Sequence, residues 1–395
     1  MRSNLSLSDE GRLIMCNTPA KVLVALVVCA GMVSLGWART LRTKAGRTGP
    51  TVSQLVSRIQ QSQEQGDKIH SYIVKWEVTG EGRCSFMGGG RRKMRVYKER
   101  VTDGKRFYYC EKKWGNCLMG EDILITKDDP KVRARLWDGQ TYFFWGKLPT
   151  VFIEQLARRR FKTADERAEF VQSRAGSVSI RGREPAKPPA HNALINISMG
   201  HLQGDVERID KILRQADTIS VRKEMERVGE SLCYVIDAVS RHGKHKVWID
   251  PEHGYNIARA RVLKGPGHIK IGAWGQPETL SYSLDNVRFR KIDDVWVAME
   301  ADRKYDEKYA SGDFMTSDTH YRQIEVVFDP NHEARRSFDP NIPDGWKVRF
   351  KGFQAIDGKQ EFTWRDGAVV NGKGGKVDFL GRAAGPKAEH RKHGL

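Results

Sequence analysis

Asp-Gly and Asp-Asp pairs punctuate this chain where strand-like runs end. Asp103-Gly104, Asp138-Gly139, Asp293-Asp294 and Asp366-Gly367 lie inside RVTDGKRFYY, RLWDGQTYFFW, FRKIDDVWVAME and FTWRDGAVV. Both residues of such a pair accept the positive φ of a tight hairpin turn, so each pair predicts two antiparallel strands joined back to back. KHKVWIDPEHGYNIARARVL has the same form with a longer turn, Pro251 to Gly254. In SYIVKWEVTG, Tyr72, Val74, Trp76 and Val78 alternate with other residues, the pattern of a strand with one dry face. LSYSLDNVRFRKI and THYRQIEVVFDP add further strands. About ten strands follow, most of them antiparallel.

Helical spacing is confined to a few segments. TVSQLVSRIQQSQEQGDKI carries apolar residues at 52, 55, 56 and 59, with Thr51 or Ser53 as cap and Gly66 as stop. PTVFIEQLARRRF and ADERAEFVQSR fall between residues 149 and 174, and GDVERIDKILRQA covers 204–216. A sheet this long must cover its apolar face, and twist curves it around whatever covers it. The predicted fold is α+β: a long curved antiparallel sheet forming an open half-barrel, with helices packed over its concave face. A groove between sheet and helices is then the natural ligand site. The β-rich domain spans 51–370, with a helical insertion near 145–220. From Asn371 to Leu395 the sequence is Gly-rich and basic, which predicts a disordered tail.

Residues 22–38, VLVALVVCAGMVSLGWA, hold no charge, and Arg12 and Lys21 precede them. Gly36-Trp37-Ala38 places small residues where a signal peptidase inspects the chain, so residues 1–38 read as a signal peptide cleaved near Ala38 and the protein as periplasmic or otherwise exported. Arg39, Arg42, Lys44 and Arg47 lie in the basic linker 39–50, and positive charge there opposes export. A single uncleaved N-terminal membrane anchor is therefore the second reading, at the lower limit of about 17 apolar residues for spanning a bilayer.

The chain has 395 residues with 10 Trp, 11 Tyr and 15 Phe, which excludes a wholly disordered protein. Its net charge is +19, with basic blocks at Arg91-Arg92-Lys93, Arg158-Arg159-Arg160 and Arg335-Arg336. No RNP-like motif, zinc finger or basic zipper accompanies that charge, so no nucleic-acid partner is expected. Anionic envelope surfaces, phospholipid headgroups or acidic polysaccharide, suit it better. Solvated strand faces are the plain alternative.

Nothing among the sequence motifs points to catalysis. G-x-x-x-x-G-K-[ST], H-E-x-x-H and G-x-S-x-G are absent. His242, His245, Asp250 and His253 have a spacing that can serve zinc, but they span a strand between two loops, and solvated histidines are the simpler reading. No metal, no cofactor and no catalytic residue are assigned; a metal-dependent hydrolase using these histidines is the weakest alternative. Cys84, Cys110, Cys117 and Cys233 follow the export segment, and an even number in an exported chain admits disulfides in any of three connectivities. Tyr72, Val74, Trp76, Tyr282, Leu284, Val297 and Met299 are the candidate ligand-binding face, apolar side chains that share a side of their own strands.

The segments TVSQLVSRIQQSQEQGDKIHSYIVKWEV, YVIDAVSRHGKHKVWIDPEHGYNIARARV, SLDNVRFRKIDDVWVAMEADRKY and FTWRDGAVV resemble bacterial exported proteins of the LolA/LolB-like superfamily, the outer-membrane lipoprotein-sorting proteins. The resemblance centres on VWIDPEHGYNIARARV followed by VWVAMEADRKY, where Trp296-Val297-Ala298-Met299 carries Ala in place of the commoner Pro. It implies an open β-barrel with helices over its mouth, holding acyl chains. The expected function is non-enzymatic binding of a lipid or lipoprotein acyl chain, as carrier or envelope sensor. The alternative is an envelope scaffold that contacts anionic polysaccharide or a protein partner without a lipid cavity.

Overall fold

Thr51 opens the first helix, α1 (Val52–Asp67), through a capping box: the Gln54 amide donates to the Thr51 hydroxyl (3.2 Å) and the Thr51 amide to the Gln54 side chain (2.9 Å). The computed structural model describes residues 49–115, 129–174, 176–182, 200–202, 207–268, 277–351, 353 and 361–379. The N-terminal apolar run, and with it the cleavage and anchor expectations, lies outside the described residues. Among those described, no helix is long and apolar enough to cross a membrane.

After α1 come β1 (Tyr72–Cys84), β2 (Arg92–Thr102), β3 (Phe107–Gly115), β4 (Lys131–Trp137) and β5 (Tyr142–Lys147). The insertion supplies α2 (Thr150–Arg160), α3 (Ala164–Ser173), β6 (Ser177–Arg181), α4 (Ile209–Arg214) and β7 (Thr218–Val221). Then follow β8 (Glu226–Val228), β9 (Ser231–Ser240), β10 (Gly243–Asp250), β11 (Asn256–Lys264), β12 (Thr279–Ile292), β13 (Val295–Lys308) and β14 (Phe314–Phe328). Last are β15 (Lys347–Lys351), β16 (Phe362–Arg365) and β17 (Ala368–Asn371). Among the described residues, seventeen strands replace the ten or so read from the sequence.

They form one large, curved, open sheet. From β9, flanked by β7 and β8, the order runs β10, β11, β12, β13, β14 and then β1. It continues through β2, β3, β4, β5 and β6 to β15, β16 and β17. The pairing of β6 with β15 is parallel, so the sheet is mixed rather than purely antiparallel. All four Asp-led turns join neighbouring strands, by two devices. Asp293-Asp294 and Asp366-Gly367 take positive φ at both residues. Asp103 and Asp138 instead accept amides two and three residues on, at 2.6–2.9 Å, and leave the positive φ to Gly104 and Gly139.

The sheet is dry on different faces in its two halves. One core joins Leu55, Val56 and Ile59 of α1 and Ile209, Ile212 and Leu213 of α4 to Tyr72, Val74 and Trp76 of β1 and to buried residues of β9 through β14. Ile73 points the other way. It belongs to a second core with Val101, Cys110, Leu136, Phe143, Trp145 and Ile180, closed by Phe338, Ile342, Val348, Phe362 and Trp364 from the C-terminal segment. Of the predicted helices, α1 and α4 therefore cover the sheet, on one face of its β1 and β9–β14 half. α2 and α3 contact each other, with the Phe161 and Phe170 rings 5.1 Å apart. The chain past Asn371 turns back: the Val377 amide bonds Val369 at 2.9 Å, and Val377 and Phe379 pack on the second core. Residues 380–395 lie outside the described residues.

Arg208 ties the covering helices together. Its guanidinium bonds Asp210, whose side chain is 2% exposed, at 3.0 Å through two nitrogens, and also meets Asp67 at the end of α1. Removing the cation strands a buried carboxylate, a far larger loss than removing a surface pair. Arg208→Ala is expected to lower unfolding stability by about 3 kcal/mol, and adding Asp210→Asn should restore more than half of it; urea titration of the two variants checks this.

Candidate functional site

A half-open cavity of about 910 Å³ lies against strands β7, β9–β14 and β1. A flat sheet could not bring eight strands to one cavity, because strands lie about 4.8 Å apart. Each strand gives three successive residues to its lining, and the middle ones form one row across the sheet. Ile219 stands opposite Ala238, Ala238 opposite His245, His245 opposite Val262, and Val262 opposite Tyr282. Tyr282 faces Tyr305, Tyr305 faces Ser317, and Ser317 faces Gly82. All eight line the cavity. Ala238, Val262 and Tyr282 belong to the same core as α1, with Ile219 and Tyr305 packed against it, so the row lies on the helix-bearing face.

The rows on either side differ in character. Toward the helices stand Val247, Ala260 and Leu284, each fully buried. Toward the β9–β10 turn stand Lys264, Leu280 and Glu307, also opposite one another and all buried. Glu307 accepts hydrogen bonds from the Tyr305 hydroxyl and, at 2.7 Å, from the Tyr309 hydroxyl. Burial and the bond to this carboxylate push the Tyr309 phenol up to about 12 and raise that of Tyr305 as well. These flanking rows are buried in the protein and do not themselves line the cavity. The cavity's outer margin carries Lys244, Lys246, Arg261, Arg83 and Arg91 against Glu81, Asp237, Asp306 and Asp318.

The sequence-predicted ligand face divides. Tyr282 lines the cavity. Tyr72, Val74, Trp76 and Leu284 are in the first core, packed with α1 and α4. Met299 packs against that core, and Val297 is buried opposite Arg290. Sequence reasoning missed Ala238, Val262, Tyr305, Ser317, Gly82, Lys264 and Glu307. Tyr305 shares its side of β13 with the charged Arg303 and Glu307, so alternation did not mark it, and the small residues give no local signal.

The four metal candidates do not converge. His245 is in the cavity wall, with Nδ1 3.3 Å from the Gly243 carbonyl. Asp250 and His253 meet at 2.7 Å at the far end of β10, where the imidazole stacks on Phe289 and meets Trp296 edge-on. His242 lies in the opposite turn, near Glu207. Among the described residues no group of three or more His, Cys, Asp and Glu side chains could hold a metal ion.

The disulfide expectation is corrected for the cysteines that can be placed. Cys84, Cys110 and Cys233 are buried and unbridged; Cys117 lies outside the described residues. Geometry gives the reason. Cys110 is in the second core, Cys233 in a small third cluster with Val235 and Trp248, and Cys84 at the end of β1. Burial raises the Cys110 thiol and pushes that of Cys233 up to about 12, so neither supplies thiolate near neutral pH. Alkylation of the native protein at pH 8, mapped residue by residue, should label these three cysteines roughly a hundredfold more slowly than in urea.

No family model matches the chain, and no curated protein does. Two solved structures share part of its layout. A DUF1329 family protein from Desulfovibrio piger is 14% identical, covering 71% of this chain and 94% of its own, with a TM-score of 0.30. MucB, solved in complex with MucA(peri), is 10% identical, covering 71% of this chain and 96% of its own, with a TM-score of 0.19. Superpositions this loose define neither a family nor a function for the chain.

Proposed function

We propose that this is an exported, non-enzymatic binding protein that takes a lipid or lipoprotein acyl chain into the row-walled cavity, as a carrier or sensor in the cell envelope. The observation that carries the reading is the cavity itself. At about 910 Å³ it is near the top of the range of roughly 300–1,000 Å³ in which pockets hold small ligands. Ala238 and Ser317 leave that volume open where larger side chains would fill it, and Gly82 lets the β14 backbone approach closely beside them. The chain methylenes would lie along Ile219, Val262 and Tyr282, each contributing about 0.8 kcal/mol on leaving water. Lys264 and Glu307 lie one row away, and Tyr305, in the row itself, donates to Glu307, so this end suits a polar headgroup. The uncharged run at 22–38 supports export.

The first test is solvent extraction and lipid mass spectrometry of protein prepared without detergent. A defined lipid near one per protein supports the reading; an empty protein whose Trp fluorescence also ignores added fatty acid and lipopeptide overturns it. Ser317→Trp places a large side chain in the row from a partly exposed position. It should weaken fatty-acid binding at least tenfold, roughly 1.4 kcal/mol or more, with little change in the unfolding midpoint.

A further inference from the structure

The half of the sheet beyond β1 presents a cationic face that the cavity does not use. In β4, Ala134 and Leu136 point into the second core, so Arg133 and Arg135 point to the opposite face. In β6, Val178 and Ile180 enter the same core, which turns Arg181 outward. In β15, Val348 is in that core and Phe350 packs on it, so Lys347, Arg349 and Lys351 share the outward face. Pairing brings these strands together: Arg349 stands opposite Ser179 and Lys351 opposite Arg181 in the parallel pair, and Arg135 joins the same row through Phe144. Lys98 and Lys113 extend the face onto β2 and β3; carboxylates reach it at Glu111, 3.4 Å from Lys98, and at Glu361, 3.5 Å from Lys347.

Arg133, Arg181, Arg349 and Lys351 are exposed and make no ion pair among the described residues. Like charges gathered this closely repel one another and do nothing for the fold, which the second core stabilises from the other side. The cations are spread in two dimensions, over strands β2 to β6 and β15, a width of about 24 Å at 4.8 Å per strand. A linear polyanion would meet one row; a plane of anions meets all of them.

We infer that this face docks the protein on a bilayer rich in anionic phospholipid, through lattice-like contacts between the Arg and Lys side chains and lipid phosphates. Binding of this kind adds up over the basic residues near the surface and weakens with ionic strength, because salt screens it within about 10 Å at 0.1 M. It does not depend on what the cavity holds.

The test is co-sedimentation of the full chain with vesicles of phosphatidylglycerol and phosphatidylcholine, against vesicles of phosphatidylcholine alone, at low and high salt. The expected result is salt-sensitive binding to the anionic vesicles. It should fall roughly a hundredfold in the variant R133E/R181E/R349E/K351E and stay within about threefold in a control, R158E/R159E/R335E/R336E, of equal charge change. The milder R133Q/R181Q/R349Q/K351Q variant should fall by an intermediate amount, and far-UV circular dichroism with fatty-acid binding confirms that fold and cavity survive. Three outcomes overturn the proposal: equal loss in both reversed variants, which means net charge alone; equal binding to neutral vesicles, which means the apolar N-terminal run; or retention on an acidic polysaccharide with none on anionic vesicles.

Discussion

Strand β1 is the element on which the molecule hangs. It is hydrogen-bonded along its length to β14 on one side and β2 on the other, and at its start it is buried on both faces. Tyr72 and Val74 face the helices while Ile73, between them, faces the C-terminal segment. An ordinary half-buried strand has one dry face and one wet one. Here the dry face changes over at β1, so one continuous sheet serves two cores on opposite sides. The other face of the β9–β14 half carries the small third cluster of Val228, Cys233, Val235, Trp248 and Ala258. Beyond β1 the face opposite the second core carries the cations; in the β9–β14 half the dry face carries both the helices and the cavity.

The cavity follows from where the helices stop. α1 and α4 fill the sheet's dry face over the rows of Val247 and Leu284, and the next row holds Gly82, Ala238 and Ser317 among its larger members. A close-packed interior would fill that space with bulky side chains. Ala238 and Ser317, small residues on two strands brought into one row by register, leave it open, whereas Gly82 lets the β14 backbone approach closely. Buried charge, in Lys264 and Glu307, lies one row further on, outside the lining.

Local signals in the sequence translated well. The Asp-led pairs gave hairpins because a turn is decided by four residues, and the α1 boundary was readable because Thr51 and Gln54 form its cap. The helix nonetheless runs past Gly66 to Asp67. What lay hidden is what depends on distant partners. Nothing near Val178 announces that Val348 will lie beside it in parallel, and short strands such as β7, β8 and β16 hold too few residues to show a period. The same limit governed the site. Alternation identifies the face of a strand but not the depth along it, so Tyr282 and Leu284 looked alike although one lines the cavity and the other is sealed in the core. His245 read as a solvated histidine or a weak metal ligand, yet it is buried, and its place in the cavity wall depends on Ala238 and Val262, which look like ordinary core.

The β6–β15 pairing also sets a timetable. β2 through β6 are complete once residue 181 has been made, but the residues that cover their apolar face, Phe338 to Phe379, come on the order of 150 residues later. At about 5–20 residues per second, that half-sheet would wait roughly ten to thirty seconds with Leu136, Phe143 and Trp145 uncovered. Its exposed apolar face is, for that interval, a surface for misassociation, and contacts so remote in sequence also slow folding. A chain built this way gains from being held unfolded until its C-terminus is available. Post-translational export of a completed, still unfolded polypeptide would deliver both halves of the second core together.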